Sequence, residues 1–252
     1  MSIRYQNVAR ALLVAAGVLL VTSEAGRAQR CSYYAPGDLI PGTGDGVFDE
    51  TEWAPTMLHP FVGAIGTTKS AIHSPGSQCA ASNFDFVHRD TFCETRNGVD
   101  RESLNCPRRD IHQGIDINGG TSATCELMRQ AKREIAGGAP SSRANIVPVL
   151  AAEDGQISYI GRYTVDLSAG GVRKYRYLHM KMDTLKVVLQ DYVKQGQVLG
   201  YMWDDFGGNL TKFHLHLEVI ATVSGVARHV SPYKSYVTSV ARVLGEECTL
   251  MQ

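Results

Sequence analysis

The sequence predicts a mainly β protein: a compact antiparallel β-sheet or sandwich domain with one short inserted helix. Two observations favour this fold class. The apolar stretches are short and separated by turn-forming residues, and only one stretch has helical spacing. With 252 residues, of which 44% are hydrophobic, the chain is long enough for one substantial core. The formal net charge of +0 gives no indication of a basic surface, so no nucleic-acid partner is expected.

The strands are predicted in four segments. The first contains β-branched runs broken at Asp154-Gly155, a dipeptide typical of a hairpin turn. The second, KYRYLHMKM, alternates basic with apolar or aromatic residues, as a half-buried strand does. The third holds two short apolar runs, and the fourth reads FHLHLEVIATV. The segments are residues 146–161, 174–182, 191–203 and 213–223.

The helix is predicted over residues 125–137, CELMRQAKREIAG. Apolar residues recur there at intervals near 3.6, and a glycine ends the run. Because the segments around it are strand-like, we expect this helix to be a surface element or one wall of a groove.

The N-terminus has the pattern of a secretory signal peptide, predicted over residues 1–28. Two arginines precede an apolar run that is too short to span a bilayer, and small residues follow it. The alternative is an uncleaved membrane anchor. Residues 29–57 are rich in glycine, proline and aspartate and predict an irregular extension, and residues 58–252 the folded domain. We expect a periplasmic or secreted monomer without stable membrane insertion after cleavage; the extension could lie across the groove and block it.

Six cysteines follow the predicted signal peptide, and none forms a Cys-x-x-Cys pair. An even number of cysteines behind an export signal predicts up to three disulfides in an oxidising compartment. Cys93–Cys106 is the first candidate pair because the segment between them is polar and loop-like. Cys31–Cys248 is the second, because it would tie the two ends together. The six cysteines are Cys31, Cys79, Cys93, Cys106, Cys125 and Cys248.

The segment FHLHLEV places two histidines on one side of a strand. Residues two apart in a strand point to the same face, so His214, His216 and Glu218 share a face and the two leucines share the other. The leucine face can pack into a core. Two imidazoles on the opposite face suit a site in which one histidine binds a metal and the other exchanges protons.

A second source of metal ligands lies in the segment RRDIHQGIDI. His112 and Asp116 would share a face in an extended segment, and Gly114 between them would leave room for an ion. Two histidines and one carboxylate form a three-ligand zinc set with a free position for water. Zinc lowers the pKa of that water to about 7, which provides a nucleophile at neutral pH.

The third element is Tyr177-Leu178-His179 on the alternating strand. By strand periodicity His179 shares a face with Tyr177, and Arg173 could approach from the preceding loop. A histidine opposite the metal could polarise a scissile carbonyl or stabilise the developing oxyanion.

Four motifs in this order make the chain resemble the lysostaphin/LytM-like zinc metallo-endopeptidases, over about residues 80–220. The motifs are His-x-Gly-x-Asp at 112–116, Tyr-x-His at 177–179, Val-x-x-Gly-Gln-x-x-Gly at 193–200 and His-Leu-His-x-Glu at 214–218. The resemblance implies a LytM-type β fold, similar to the duplicated hybrid motif, with the site in a groove. It also implies an exported enzyme that hydrolyses peptide bonds of bacterial cell-wall peptidoglycan by attack of a zinc-bound water.

The resemblance implies roles for individual residues. His112, Asp116 and His216 would bind one zinc ion, and His179 and His214 would be catalytic. Apart from the resemblance, Glu218 is expected to be structural or to support a ligand from behind, and Tyr177 either orients the site or is an ordinary packed strand tyrosine.

The chain departs from the family pattern in two places. Residues 118–145 insert a cysteine and the helix after the first ligand pair, and Thr211-Lys212-Phe213 replaces smaller residues before the paired histidines. Both changes flank the groove and bear on substrate preference. The alternatives are a non-catalytic module that binds peptidoglycan or regulates a cell-wall amidase, and a hydrolase of secreted proteins.

Overall fold

A computed structural model describes residues 31–62, 65–74, 76–207 and 209–251. Within them the chain forms fifteen strands and two α-helices. The strands are β1 Ser32–Tyr33, β2 Thr67–Thr68, β3 Val87–His88, β4 Ile115–Asn118, β5 Pro148–Leu150, β6 Gly155–Ile160, β7 Thr164–Ala169, β8 Arg173–Leu178, β9 Tyr192–Val193, β10 Val198–Tyr201, β11 Asp205–Phe206, β12 Asn209–Leu210, β13 Leu215–Val223, β14 Val226–Val230 and β15 Thr249–Leu250. The helices are α1 Ser122–Ala136 and α2 Tyr233–Leu244.

One eight-stranded sheet organises the fold. Its path runs β2-β4-β13-β8-β7-β6-β9, with β14 added beside β13. Every pairing in this sheet is antiparallel. The predicted fold class, a mainly β antiparallel domain, is therefore confirmed.

Strand β13 lies at the centre of the sheet and alternates as predicted. Leu215, Leu217 and Val219 are fully buried in the core, and on the neighbouring strand β8 so are Tyr175 and Tyr177. The first half of β13 pairs with β4 and the second half with β14, while β8 runs along its other side. This arrangement leaves the opposite face of β13 and β4 for polar groups.

The predicted hairpin at Asp154-Gly155 is wrong. Strand β5 pairs with β10, and β6 pairs with β7 and β9, so the two runs join different partners. The glycine serves a close approach: a Cβ at Gly155 would lie 2.3 Å from the Ser168 carbonyl oxygen. The Asp154 carboxylate accepts from the Gln195 amide at 2.7 Å, in a connection between distant segments.

The predicted helix forms, and a second helix was not predicted. Helix α1 begins three residues earlier than expected, where the Thr121 hydroxyl accepts from the Thr124 amide at 3.1 Å. Helix α2 follows Pro232 and ends at Gly245 in the left-handed region, with φ of 67°. Its buried face is formed by Tyr233, Tyr236, Val237 and Val240, which have helical spacing.

Three disulfides bind the periphery to the sheet. Cys93 pairs with Cys106, and Cys31 with Cys248, the two pairings favoured by the sequence; the third joins Cys79 to Cys125 on α1. Because Cys125 anchors α1 to the core, the inserted segment is covalently attached next to β4.

The structure describes only part of the N-terminal region, from residue 31 onward. The predicted signal peptide over residues 1–28 lies outside the described residues, and the domain boundaries stay predictions. From residue 31 to 57 the one strand is β1, which pairs in parallel with both β3 and β15. Among the described residues, no helix is both long and apolar enough to cross a bilayer.

Candidate active site

The antiparallel pairing of β4 with β13 brings the predicted metal ligands together. His216 stands directly opposite Asp116 in the register of the two strands. His112 lies just before β4, and its Nε2 is 2.6 Å from His216 Nδ1 and 3.0 Å from Asp116 Oδ1. All three residues are buried, and one donor atom from each lies within 4.8 Å of the others.

Gly114 was expected to leave room for an ion, but the space beside it is filled by β13. A Cβ there would lie 2.3 Å from the Leu217 carbonyl oxygen and 3.0 Å from Glu218 Cγ. The missing side chain lets the backbone of β13 approach the segment before β4. Gly114 thus brings His112 within reach of His216 without lining the site.

The outer nitrogens of the two histidines are held by hydrogen bonds that define their tautomers. His112 Nδ1 donates to the Thr91 carbonyl at 2.6 Å, and His216 Nε2 donates to Glu218 Oε1 at 3.0 Å. Burial lowers the pKa of His112 to about 3, so this imidazole is neutral. Its inner nitrogen therefore offers a lone pair to the site, and the Glu218 bond orients the inner nitrogen of His216 in the same way.

These inner atoms fit a divalent cation. With each outer nitrogen donating elsewhere, two imidazole lone pairs and a carboxylate oxygen face one another at close range. Burial would raise the pKa of Asp116, but the neighbouring histidines hold it well below its ordinary value, so the carboxylate is charged. Burial would lower the pKa of His216, but its hydrogen bonds to Asp116 and Glu218 raise it, so without a metal a proton can occupy the inner nitrogen of His216. A divalent cation replaces that proton, and two nitrogens with one oxygen are a donor set that suits zinc.

The second oxygen of Asp116 is held by groups that the sequence analysis missed. Asp116 Oδ2 accepts from Arg96 Nη2 at 2.9 Å and from the Ala71 amide at 3.0 Å. Arg96 Nη1 also donates to buried Glu94 at 2.7 Å, and Glu94 accepts from Ser70 Oγ at 2.9 Å. These residues lie in irregular segments, where no spacing indicates them. Together they leave Oδ1 free to face the histidines.

His179 and His214 line the same site from the other side. Their ring centroids are 4.6 Å apart, and His214 Nε2 lies 3.3 Å from Asp116 Oδ1. His179 Nδ1 donates to the Asp205 carbonyl and His214 Nδ1 to the Lys212 carbonyl, each at 2.8 Å. His179 Nε2 is therefore left for a substrate or a water molecule, while His214 Nε2 faces Asp116 Oδ1 beside the candidate metal position.

Tyr177 and Arg173 do not reach the site, so the shared face predicted for Tyr177 and His179 is wrong. Strand β8 ends at Leu178, and His179 adopts a left-handed φ of 64°, which breaks the alternation. The Tyr177 hydroxyl accepts from the Ala152 amide in the core at 2.9 Å. Arg173 binds Glu153 at 2.8 Å, at the far end of β8.

Glu218 lies behind His216 and links it to a charged network. Its Oε2 atom is 3.3 Å from His229 Nδ1 and 3.4 Å from Arg176 Nη1, and Arg176 also binds Asp166 at 2.8 Å. Burial would raise the pKa of Glu218, but the hydrogen bonds to His216 and His229 hold it well below its ordinary value. Glu218 is therefore a charged acceptor that orients His216.

These histidines open into a groove of about 360 Å³. One wall is formed by residues of the segment between Cys93 and Cys106, including Arg96, and the other by Leu178 and Phe206. The candidate metal ligands, together with His179 and His214, form part of the groove lining. A ligand in it would contact all four histidines.

Known structures show partial similarity to the chain. LytM from Ruminococcus gnavus is 21% identical, with a TM-score of 0.36, over 55% of this chain and 50% of that one. The catalytic domain of lysostaphin from Staphylococcus simulans is 22% identical, with a TM-score of 0.31, over 52% and 83%. A zinc-containing peptidase from Vibrio cholerae is 22% identical, with a TM-score of 0.33, over 56% and 34%. The chain spans half of the LytM structure and a third of the Vibrio one, and identities this low transfer no activity.

No curated protein matches the chain. Residues 138–232 match the sequence model of Peptidase family M23. This stretch contains His179, His214 and His216 and begins after His112 and Asp116, from which the segment containing α1 separates it. The pairing of β4 with β13 brings His112 and Asp116 next to the three histidines of the matched stretch. Over residues 138–232, which hold three of the four histidines of the site, the chain is therefore similar to peptidase family M23.

Proposed function

We propose that this protein is an exported, zinc-dependent endopeptidase that hydrolyses peptide bonds of bacterial cell-wall peptidoglycan. The observation that carries the proposal is the convergence of His112, Asp116 and His216 with their inner donor atoms facing one another. Two further histidines at the same groove provide the proton-transfer groups that peptide hydrolysis needs. The match of residues 138–232 to peptidase family M23 supports the peptidase class.

His112, Asp116 and His216 would hold the zinc ion. Zinc supplies Lewis acidity, which makes a water molecule nucleophilic at neutral pH. Around it, the bonds from Thr91 and Glu218 keep the ligand imidazoles in place, and Arg96 keeps one oxygen of Asp116 directed away from the groove.

His179 and His214 act on the substrate and on the attacking water through their Nε2 atoms. A neutral imidazole whose Nδ1 atom donates to a carbonyl carries a lone pair at Nε2, so either ring can accept a proton from the attacking water. The same ring, once protonated, can donate to the oxyanion or to the leaving amine. Because the rings are adjacent, one can serve the water while the other faces the scissile carbonyl.

Export is part of the proposal. The three disulfides suit an oxidising compartment, which agrees with the predicted signal peptide and a periplasmic or secreted location.

The proposal is tested by metal analysis joined to release of muropeptides from purified cell walls. We expect about one zinc per chain, and release that stops with a chelator and returns with zinc. His179→Ala and His214→Ala should keep the metal and lose at least about a hundredfold in rate. His73→Ala, at an exposed histidine outside the groove, is the matched control. Wild-type protein that binds walls without releasing peptides would instead indicate the non-catalytic module.

A further inference from the structure

The groove beside the candidate metal centre has one charge that the protein itself does not neutralise. Of its described lining residues, the acidic one is Asp116 and the arginines are Arg96 and Arg101. Arg96 lies between Asp116 and Glu94 and is neutralised by them. Arg101 remains as the free positive charge of the wall.

The two acidic residues next to Arg101 in the sequence do not pair with it. The acids on either side, Asp100 and Glu102, both bind Arg109, and the Arg101 amide donates to the Arg109 carbonyl at 2.6 Å. Arg101 itself lines the groove and is half-buried. Among the described residues it makes no ion pair, although two carboxylates are its immediate neighbours in sequence.

An arginine in this condition is suited to a ligand. An arginine that lines a groove without an ionic partner is available to a ligand there, and a carboxylate fits its planar guanidinium fork with two parallel hydrogen bonds. The arginines near it that face away from the groove are each paired: Arg108 with Asp110, Arg109 with Asp100, and Arg228 with Glu102. Of these four arginines, Arg101 alone lines the groove and makes no ion pair among the described residues.

The groove lining also has an apolar part besides the polar Asn97 and Thr211. Ile72 is 52% exposed, Val99 lies in the same segment as Arg101, and Leu178 and Phe206 form the opposite wall. Such a surface gains free energy by covering methylene groups. A strand of glycines offers neither methylene side chains nor a charge.

We propose that Arg101 binds a free carboxylate of the wall peptide. The preferred substrate is then a cross-link whose residue beside the scissile bond has an aliphatic side chain ending in a carboxylate, as a diamino dicarboxylic acid has, and not a glycine bridge. This inference rests on the proposed function for the identity of the reaction, but the carboxylate-binding role of Arg101 is measurable without turnover.

The experiment compares two synthetic wall peptides that differ in one group, a free carboxylate or its carboxamide on the diamino acid, with a glycine-bridged peptide as a third. Dissociation constants are measured by calorimetry on zinc-free protein, and kcat/KM on the zinc-loaded protein. We expect the wild type to favour the acid about tenfold or more in both measurements. Arg101→Gln should remove this preference, and Arg101→Lys should retain part of it. Arg108→Gln, which removes a surface arginine outside the groove, should keep the wild-type preference.

The outcomes separate the two proposals. Equal binding of acid and carboxamide, or a preference that survives Arg101→Gln, overturns the carboxylate role whether or not either peptide is cut. An Arg101-dependent preference in binding, without cleavage of any peptide, supports that role and overturns the peptidase proposal.

Discussion

At the scale of single residues, the site depends on the hydrogen bond that each candidate ligand makes with the polar atom that faces away from the other ligands. Asp116 turns one oxygen to the histidines only because Arg96 and the Ala71 amide occupy the other. His112 and His216 present lone pairs only because Thr91 and Glu218 accept their protons. Metal affinity should therefore respond to residues that do not touch the metal.

Replacing Arg96 by methionine tests this dependence. Arg96→Met keeps much of the side-chain volume but frees Asp116 Oδ2, so the zinc dissociation constant should rise about 10- to 100-fold. The measurement is competition against a chromophoric chelator at constant pH. Glu94→Gln is the matched control, since it alters the same network but leaves the Arg96–Asp116 pair. An unchanged constant in Arg96→Met would contradict the argument.

The five residues that converge at the candidate site were all indicated by the motif order, and strand periodicity indicated only the shared face of His214 and His216. Arg96, Glu94 and Arg101 could not be predicted, since they lie in an irregular segment where no period applies. Tyr177 was assigned to the site because the strand was assumed to continue through His179. The positive φ of His179 ends that alternation, and no pattern in the sequence signals it.

At the scale of elements, the close contact of β4 with β13 sets the site. The backbones approach because Gly114 has no side chain where Leu217 passes. This position transmits a change in strand spacing to His112, Asp116 and His216 together.

Gly114→Ala is expected to destabilise the protein by about 2 kcal/mol, because the added Cβ would overlap the Leu217 carbonyl and push the strands apart. It should also weaken zinc binding, since the ligands come from both sides of this contact. Urea unfolding followed by fluorescence measures the first effect. Gly137→Ala is the control, because its Cβ would approach no atom closer than 3.4 Å. Equal midpoints for both variants would contradict the role given to Gly114.

Elements differed in how far the sequence revealed them. Strand β13 and helix α1 have strong periodicity and were predicted. Helix α2 was missed although its buried residues have helical spacing, because its valines, threonine and tyrosines favour strands by propensity. The Asp-Gly dipeptide suggested a hairpin, but long-range pairing with β10 and β7 overrode the local signal.

At the scale of the whole molecule, two histidines far from the groove tie stability to pH. His59 and His88 are buried around Tyr236, and burial lowers the pKa of His59 to about 4 and of His88 to about 3. In the unfolded chain both would titrate near 6.5. The unfolded state therefore binds more protons below pH 6.5, and acid favours unfolding.

The free energy of unfolding of zinc-free protein should fall as pH drops from 6.5 toward 4, by roughly 1 kcal/mol per pH unit for each of these histidines. Asp90 opposes the trend, because burial raises its pKa to about 6 and its contribution to stability grows as pH falls below that value. The variant His88→Asn, whose amide oxygen can replace Nδ1 as acceptor from the Thr68 amide, removes one contribution. Chemical unfolding at several pH values measures the slope. A variant slope equal to that of the wild type would contradict the assignment.

The pairing of β1 with β15, closed by Cys31–Cys248 across 217 positions, has a consequence for biogenesis. Among the described strands β1 is synthesised first, and although β3 can pair along one of its edges early, the other edge has no neighbour until β15 has been made. Completion of this edge must then be a late event in folding, and oxidation of that cysteine pair would record it. Protein trapped with those two thiols still reduced should be the form most readily cleaved by proteases next to Cys31 and Cys248.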